Sequence, residues 1–251
     1  MHWSEAIWTP PDITVNETGA DTISSITNRG SIGGALSEGT KANQPLLSSV
    51  GGAQSALFSA VSATKLVSTA TATNYKKLHD GTGVTAFIVC NLTLSLAGAR
   101  QFLFNTSAAT AYGSKGMGLR EFLLAGSPAK PGCLYLEVFS GDPAGAPIFA
   151  YTPNTVLTQD QTHVITYRLD TAQATDYDVR VDGVSKISGN VSGSYPCTTD
   201  DPNLTLYYGT QTAVLYHATG HLPAFLMYGS YLSNADCAAV EAYLLGRGWG
   251  P

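Results

Sequence analysis

The chain has 251 residues, a formal net charge of −5, and 44% hydrophobic but only 12% charged residues. That apolar share is ample for one packed core and excludes a disordered chain, and the length suits one large all-β domain. The shortage of charge argues against a Glu- and Lys-rich helical surface, and with no basic run beyond Lys76 and Lys77 nucleic acid is not an expected partner.

The N-terminus, MHWSEAIWTPPD, has neither a basic start nor an apolar h-region, so no signal peptide is visible. No later stretch reaches about 18 apolar residues, so no membrane insertion is expected. Residues 1–50 are Ser-, Thr- and Gly-rich and predict an edge strand near Trp8 followed by long turns. From residue 53 onward nearly every segment predicts a strand. TGVTAFIVCNLTL (82–94) is apolar on both faces, as a central strand is. RQFLFN (100–105) places Phe102 and Phe104 on one side, and KGMGLREFLLA (115–125), CLYLEVF (133–139) and PIFAY (147–151) follow. HVITYRL (163–169) alternates, with His163, Ile165, Tyr167 and Leu169 sharing a face. In DYDVRVDGV, Tyr177, Val179 and Val181 face in while Asp178, Arg180 and Asp182 face out. LTLYYG, TAVLYH and LPAFLMYGSYL complete the set, with AGSPAKPG, SGDPAGAP and YPCTTDDPN as turns. One helix is predicted near 234–246, capped by Ser233, with Cys237, Val240 and Leu244 on its apolar side and Gly246 ending it. The four cysteines, Cys90, Cys133, Cys197 and Cys237, lack CxxC spacing and predict free buried thiols, with no metal or redox site. The expected fold is a single domain over 1–251, an all-β, two-sheet antiparallel sandwich with one short C-terminal helix.

IWTPPDI, ITNRGSIGGALSEGTKANQPLL, QSALFSA, YDVRVDGVSKISG and LMYGSYLSNADCAAVEAYLLGRGWG together resemble the concanavalin A-like jelly rolls of the laminin G-like type found in bacterial and phage surface proteins. IWTPPDI resembles the family's opening Trp-then-Asp strand, and ITNRGSIGGALSEGTKANQPLL its Gly-rich turn leading to a Pro before a short strand. QSALFSA is similar to the strand before the first core hairpin. YDVRVDGVSKISG matches the strand and Asn-Gly turn, with Asp182 where Asn is usual. LMYGSYLSNADCAAVEAYLLGRGWG is similar to the closing strand, capped helix and terminal Trp-Gly. Two features depart from the pattern. Pro223 and Ala224 stand where an acidic residue is usual, and Gly248 is extra before Trp249. The resemblance implies a jelly roll and specifies function poorly, because these motifs are structural.

Relatives that hydrolyse glycans carry paired carboxylates on one strand face. The nearest candidate here, Glu137 with Asp142, is split by the turn SGDP, and no GxSxG, HExxH or phosphate loop is present, so no catalytic residue is assigned. His217 and His221 flank the turn YHATGH and read more simply as surface histidines than as metal ligands. Asp200, Asp201 and Asn203 form an oxygen-rich loop that reads as a solvated acidic turn, with calcium as the sharper alternative. Tyr75, Tyr112 and Tyr195 lie in loops, where a ring either anchors its own loop or stacks on a sugar. Counting strand reversals places loops 71–81, 106–114, 140–146, 170–175, 191–202 and 217–221 at one end of the sandwich. That end would gather Tyr75, Tyr112, Tyr195, Asp200, Asp201, Asn203, His217 and His221 as a ligand site.

The expectation is therefore a non-enzymatic, surface-displayed jelly-roll module that binds glycans on a phage virion or cell surface. A capsid or tail decoration protein that contacts other virion subunits, as a homo-oligomer or otherwise, is the main alternative. A glycan hydrolase is the second.

Overall fold

In a computed structural model, residues 6–8, 13–16, 21–31, 33–71, 74–75, 83–94, 100–106, 115–124, 130–140, 148–170, 176–190, 204–211, 216–247 and 249 are described. The strands are β1 (Ala6–Trp8), β2 (Ile13–Asn16), β3 (Thr22–Thr27), β4 (Ala35–Ser37), β5 (Leu46–Val50), β6 (Ala53–Phe58), β7 (Leu66–Ser68), β8 (Val84–Leu92) and β9 (Arg100–Asn105). There follow β10 (Lys115–Leu124), β11 (Lys130–Ser140), β12 (Ile148–Tyr151), β13 (Thr162–Leu169), β14 (Asp176–Val181), β15 (Val184–Asn190), β16 (Tyr207–Tyr208) and β17 (Gly220–Tyr228). A single helix longer than one turn is present among the described residues, α1 (Asn234–Leu245).

All pairings are antiparallel. One layer runs β15–β14–β13–β8–β17, with β1 and β6 sharing the far side of β17. The other runs β12–β11–β10–β9–β16–β7–β4–β3. The layers join through β3–β5–β6, which closes one side of the sandwich and leaves β12 and β15 as edges on the other. Between the layers lies one core that includes Ile88, Leu103, Phe104, Leu119, Leu136, Ile165, Tyr167, Val179 and Phe225. The all-β sandwich with one short helix is thus the observed fold.

Strand alternation explains most of the inner face. Ile165, Tyr167 and Leu169 point into the core, as do Val179 and Val181 with Tyr177 packed against them. The outer face of the first layer is sealed as well: Phe87, Val89, Val164, Ala224 and Leu226 pack against Cys237 and Leu244 of α1 and against Trp249. This is why β8 is apolar on both faces. The outward charges of β13 and β14 are therefore covered and paired. Arg168 binds Asp178, its cross-strand partner, and the Leu232 carbonyl at 2.9 Å. Glu241 on α1 accepts from Thr166 Oγ1 at 2.6 Å and Arg180 Nε at 2.8 Å. Ser233 caps the helix by accepting from the Asp236 amide at 3.1 Å.

Three expectations need correction. Residues 1–50 hold β1 through β5, not a single strand followed by turns, because short strands in a Ser- and Thr-rich stretch are defined by their pairing partners rather than by their own pattern. TAVLYH is not a ladder strand in its described part, since Tyr216 and His217 precede β17 outside any pairing. Phe102 and Phe104 do not share a side. Register with β10 shifts between Leu119, opposite Phe104, and Arg120, opposite Phe102. The extra residue, Leu103, makes a bulge that keeps Leu103 and Phe104 in the core and turns Phe102 outward. The thiols of Cys90, Cys133 and Cys237 are free and buried as expected, while Cys197 lies outside the described residues.

Candidate functional site

The outer face of the second layer differs from that of the first. Residues alternating with the core positions Leu119, Leu134, Leu136 and Ala150 bring Arg120 and Phe122 of β10, Tyr135 and Glu137 of β11, and Phe149 and Tyr151 of β12 to one surface. The bulge adds Phe102 from β9. Gly118 leaves room for it, because a Cβ there would stand 3.1 Å from the Phe102 ring.

These rings form a connected layer. Tyr135 and Tyr151 stack with planes 6° apart and centroids at 6.0 Å, and Phe122 and Phe149 meet Tyr135 at 5.3 and 5.4 Å. The Arg120 guanidinium lies 4.2 Å from the Tyr135 centroid and 5.5 Å from that of Phe102. Phe102 in turn stacks on Tyr216 at 6.2 Å, and Arg100 lies 5.4 Å over Tyr216. Phe149 is 41% exposed and Tyr151 48%. No described element covers them, whereas α1 covers the opposite layer.

Beneath the rings Arg120 Nη2 meets Glu137 Oε1 at 2.7 Å, with side chains 7% and 5% exposed. Burial shifts both groups toward neutrality, lowering the Arg120 guanidinium and raising the Glu137 carboxyl, and each partner's charge pulls the other back. Arg120 Nε and Nη1 and Glu137 Oε2 have no hydrogen-bond partner among the described residues. Buried polar atoms are normally satisfied, and these three are sealed from solvent, so they mark a place for a buried water rather than contacts that a ligand makes from outside.

At the β9 end the layer meets a cavity of about 400 Å³ lined by Arg100, Gln101, Tyr216, His217, Thr93 and Thr219, among others. A wider cleft of about 670 Å³ separates the edges of β12 and β15, between Phe149 and Tyr151 on one side and Lys186 and Ile187 on the other.

The residues singled out from sequence fare differently. Tyr75 is fully buried and donates to Ser68 Oγ, and burial pushes its hydroxyl up to about 12, so its ring serves the core and offers no stacking surface. Tyr112, Tyr195, Asp200, Asp201 and Asn203 lie outside the described residues. His217 and His221 sit at the opposite end from the ladder ends next to 71–81. Leu169 and Tyr228 close β13 and β17 beside Val84 and Thr85, while Gly220 starts β17 beside Leu92. The loop count fails at this point because TAVLYH supplies no strand, which reverses the parity of the last loop. His217 is buried and His221 half-buried, not surface-exposed. Among the described residues no group of three His, Cys, Asp or Glu could hold a metal ion.

No protein-family model matches the chain, and no curated protein matches it by sequence. Solved structures do match in fold. The CBM40 domain of the Ruminococcus gnavus IT-sialidase, also solved bound to alpha2,3 sialyllactose, aligns with a TM-score of 0.52 at 12% identity. That alignment covers 67% of this chain and 87% of the CBM40 domain. NanB sialidase from Streptococcus pneumoniae gives 0.52 at 14% identity over 66% of this chain, which spans only 25% of that enzyme. The binding domain of Botulinum neurotoxin DC, in complex with rat synaptotagmin II, gives 0.61 at 9% identity over 96% of this chain and 52% of that one. At these identities the likeness is one of fold, and it agrees with the jelly-roll reading. The functional surface has to be argued from this chain's own residues.

That surface was missed from sequence, although part of its signal was present. CLYLEVF alternates, so Tyr135 and Glu137 share the face opposite Leu134 and Leu136. The stacking of Tyr151 on Tyr135, the turning of Phe102 by a bulge and the arrival of Tyr216 all depend on pairings the sequence does not display.

Proposed function

We propose that this domain is a non-catalytic glycan-binding module whose ligand lies on the outer face of β9–β12. The observation that carries this reading is the ring layer of Tyr135, Phe149 and Tyr151, which no described element covers. Flat rings stack on the C–H faces of sugars, and a few polar groups among them fix orientation. The fold likeness to a CBM40 domain solved with sialyllactose supports the same reading and supplies a first probe. Hydrolysis is not part of it: Glu137 is tied to Arg120, and no second carboxylate stands on this face among the described residues.

Isothermal titration against sialyllactose and neutral oligosaccharides tests this. Tyr151→Ala should weaken binding by about 2 kcal/mol. Its thermal midpoint should move little, since the ring is half exposed. Unchanged affinity in both Tyr135→Ala and Tyr151→Ala would remove this face as the site, and product release by the wild type would remove the non-catalytic assignment.

A second reading, a domain that only contacts other protein subunits, is favoured by the cleft between the free edges of β12 and β15, where a partner chain can add a strand. Under that reading the chain self-associates or binds protein, and the glycan titrations stay blank.

A further inference from the structure

The ring layer does not stop at β10. From Tyr151 on β12 contacts run to Tyr135, Arg120, Phe102 and Tyr216, ending under Arg100, with no step longer than the 6.2 Å between Phe102 and Tyr216. At about 4.8 Å per strand, β12 to β9 alone spans about 14 Å. Phe102 and Arg120 are buried, so the rings a ligand can reach form two patches at the ends of that span, Tyr135, Phe149 and Tyr151 at one and Tyr216 under Arg100 at the other.

The patch at the β9 end is built differently from the one at β12. Arg100 is exposed, and no carboxylate among the described residues pairs with it, although the whole chain carries net negative charge. Beside it, Tyr216 is 39% exposed and holds φ at 56°, a conformation a bulky residue adopts only when its surroundings impose it. His217, 7% exposed, lines the same cavity. Its Nδ1 lies 3.2 Å from the Thr64 carbonyl, which can only accept, so Nδ1 carries the proton and Nε2 of the neutral ring is an acceptor. That Nε2 has no partner among the described residues and is itself sealed from solvent, so His217 helps to wall the cavity and offers it no hydrogen bond.

We propose that the cavity at Arg100, Tyr216 and His217 is a subsite for an acidic sugar, with the sugar's carboxylate at Arg100 and its ring against Tyr216. This rests on the glycan-binding reading above and adds the ligand's charge.

The test uses the full chain and five probes: alpha2,3 sialyllactose, tri-galacturonate, the methyl esters of both, and maltotriose. The wild type should bind at least one acid roughly tenfold more tightly than its ester. In Arg100→Gln, an exposed position whose loss leaves the fold intact, the acid should fall to the level of the ester while the ester is unchanged. Tyr151→Ala should weaken acid and ester alike, because it lies in the other open patch, away from Arg100. If acid and ester bind equally to the wild type, if only maltotriose binds, or if Arg100→Gln keeps the preference for the acid, the subsite is overturned and the ring face stands. If the wild type binds none of the probes, the glycan-binding reading fails and the subsite with it.

Discussion

Arg120 and Glu137 show how much depends on single positions. Each is more than nine-tenths buried, and their mutual contact at 2.7 Å offsets part of the cost of stripping water from both charges. Removing one partner leaves the other charged and unpaired. Arg120→Met is therefore expected to lower stability by about 3–5 kcal/mol in urea titrations, and Arg120→Met with Glu137→Leu to recover most of that loss. If the double variant is as unstable as the single one, Arg120 acts by its packing on Tyr135 and Phe102 rather than by charge. Tyr75 makes the opposite point. Read from its loop it was open to two roles, and its full burial assigns it to the core.

Elements that carry their own instructions fold where the sequence places them. α1 has a Ser cap, an acidic first turn and apolar residues at helical spacing, all within 14 residues, and it runs Asn234–Leu245. Ser233→Ala should cost about 1 kcal/mol by thermal or urea unfolding. The β14–β15 hairpin is equally local: Asp182 and Gly183 hold φ of 52° and 79°, as a tight turn with the twist of its strands requires. Burial alone would raise the Asp182 carboxyl, but hydrogen bonds from His163 and the Val164 amide and the charges of His163 and Lys186 together hold it below 3.8. Its folded value is depressed, so the contribution is complete above 3.8 and is lost as pH falls through the lower folded value. Asp182→Asn should keep the turn and flatten the acid limb of stability below pH 4, which chemical denaturation at several pH values would show. By contrast β9 hides its bulge. Nothing in RQFLFN says that Leu103 is the extra residue, because the bulge exists only in register with β10.

At the scale of the molecule, two histidines lie where layers and loops close over the β9 end. Burial lowers the pKa of both His217 and His221, with Lys65 adding to the effect at His217 and its bond to the Thr64 carbonyl opposing it. A lowered folded value means that the unfolded chain takes up protons first as pH drops below 6.5. Stability should therefore be full above that value and decline toward pH 5, and the variant carrying His217→Gln and His221→Gln should decline less. An equal decline in both proteins, followed by thermal unfolding across pH 5 to 8, would assign the acid sensitivity elsewhere.

The sequence by itself determined that this chain is a β-sandwich: alternation of period two, turn residues at short spacing and one capped helix are local signals, and each adds to the same architecture. It also determined which side of most strands faces the core. The tertiary structure alone decided what happens on the outside. Whether an outward face is sealed by a helix, as over Phe87 and Leu226, or left as an open layer, as at Tyr135 and Tyr151, depends on which layer α1 returns to. The pairing of β12 with β11 and the bulge at Leu103 join residues 10 to 22 positions apart without a local trace, and Tyr216 reaches Phe102 and Arg100 from more than 100 positions away. A site assembled from four strands and a loop is a property of their register, and register is fixed by long-range packing rather than by the composition of any one segment.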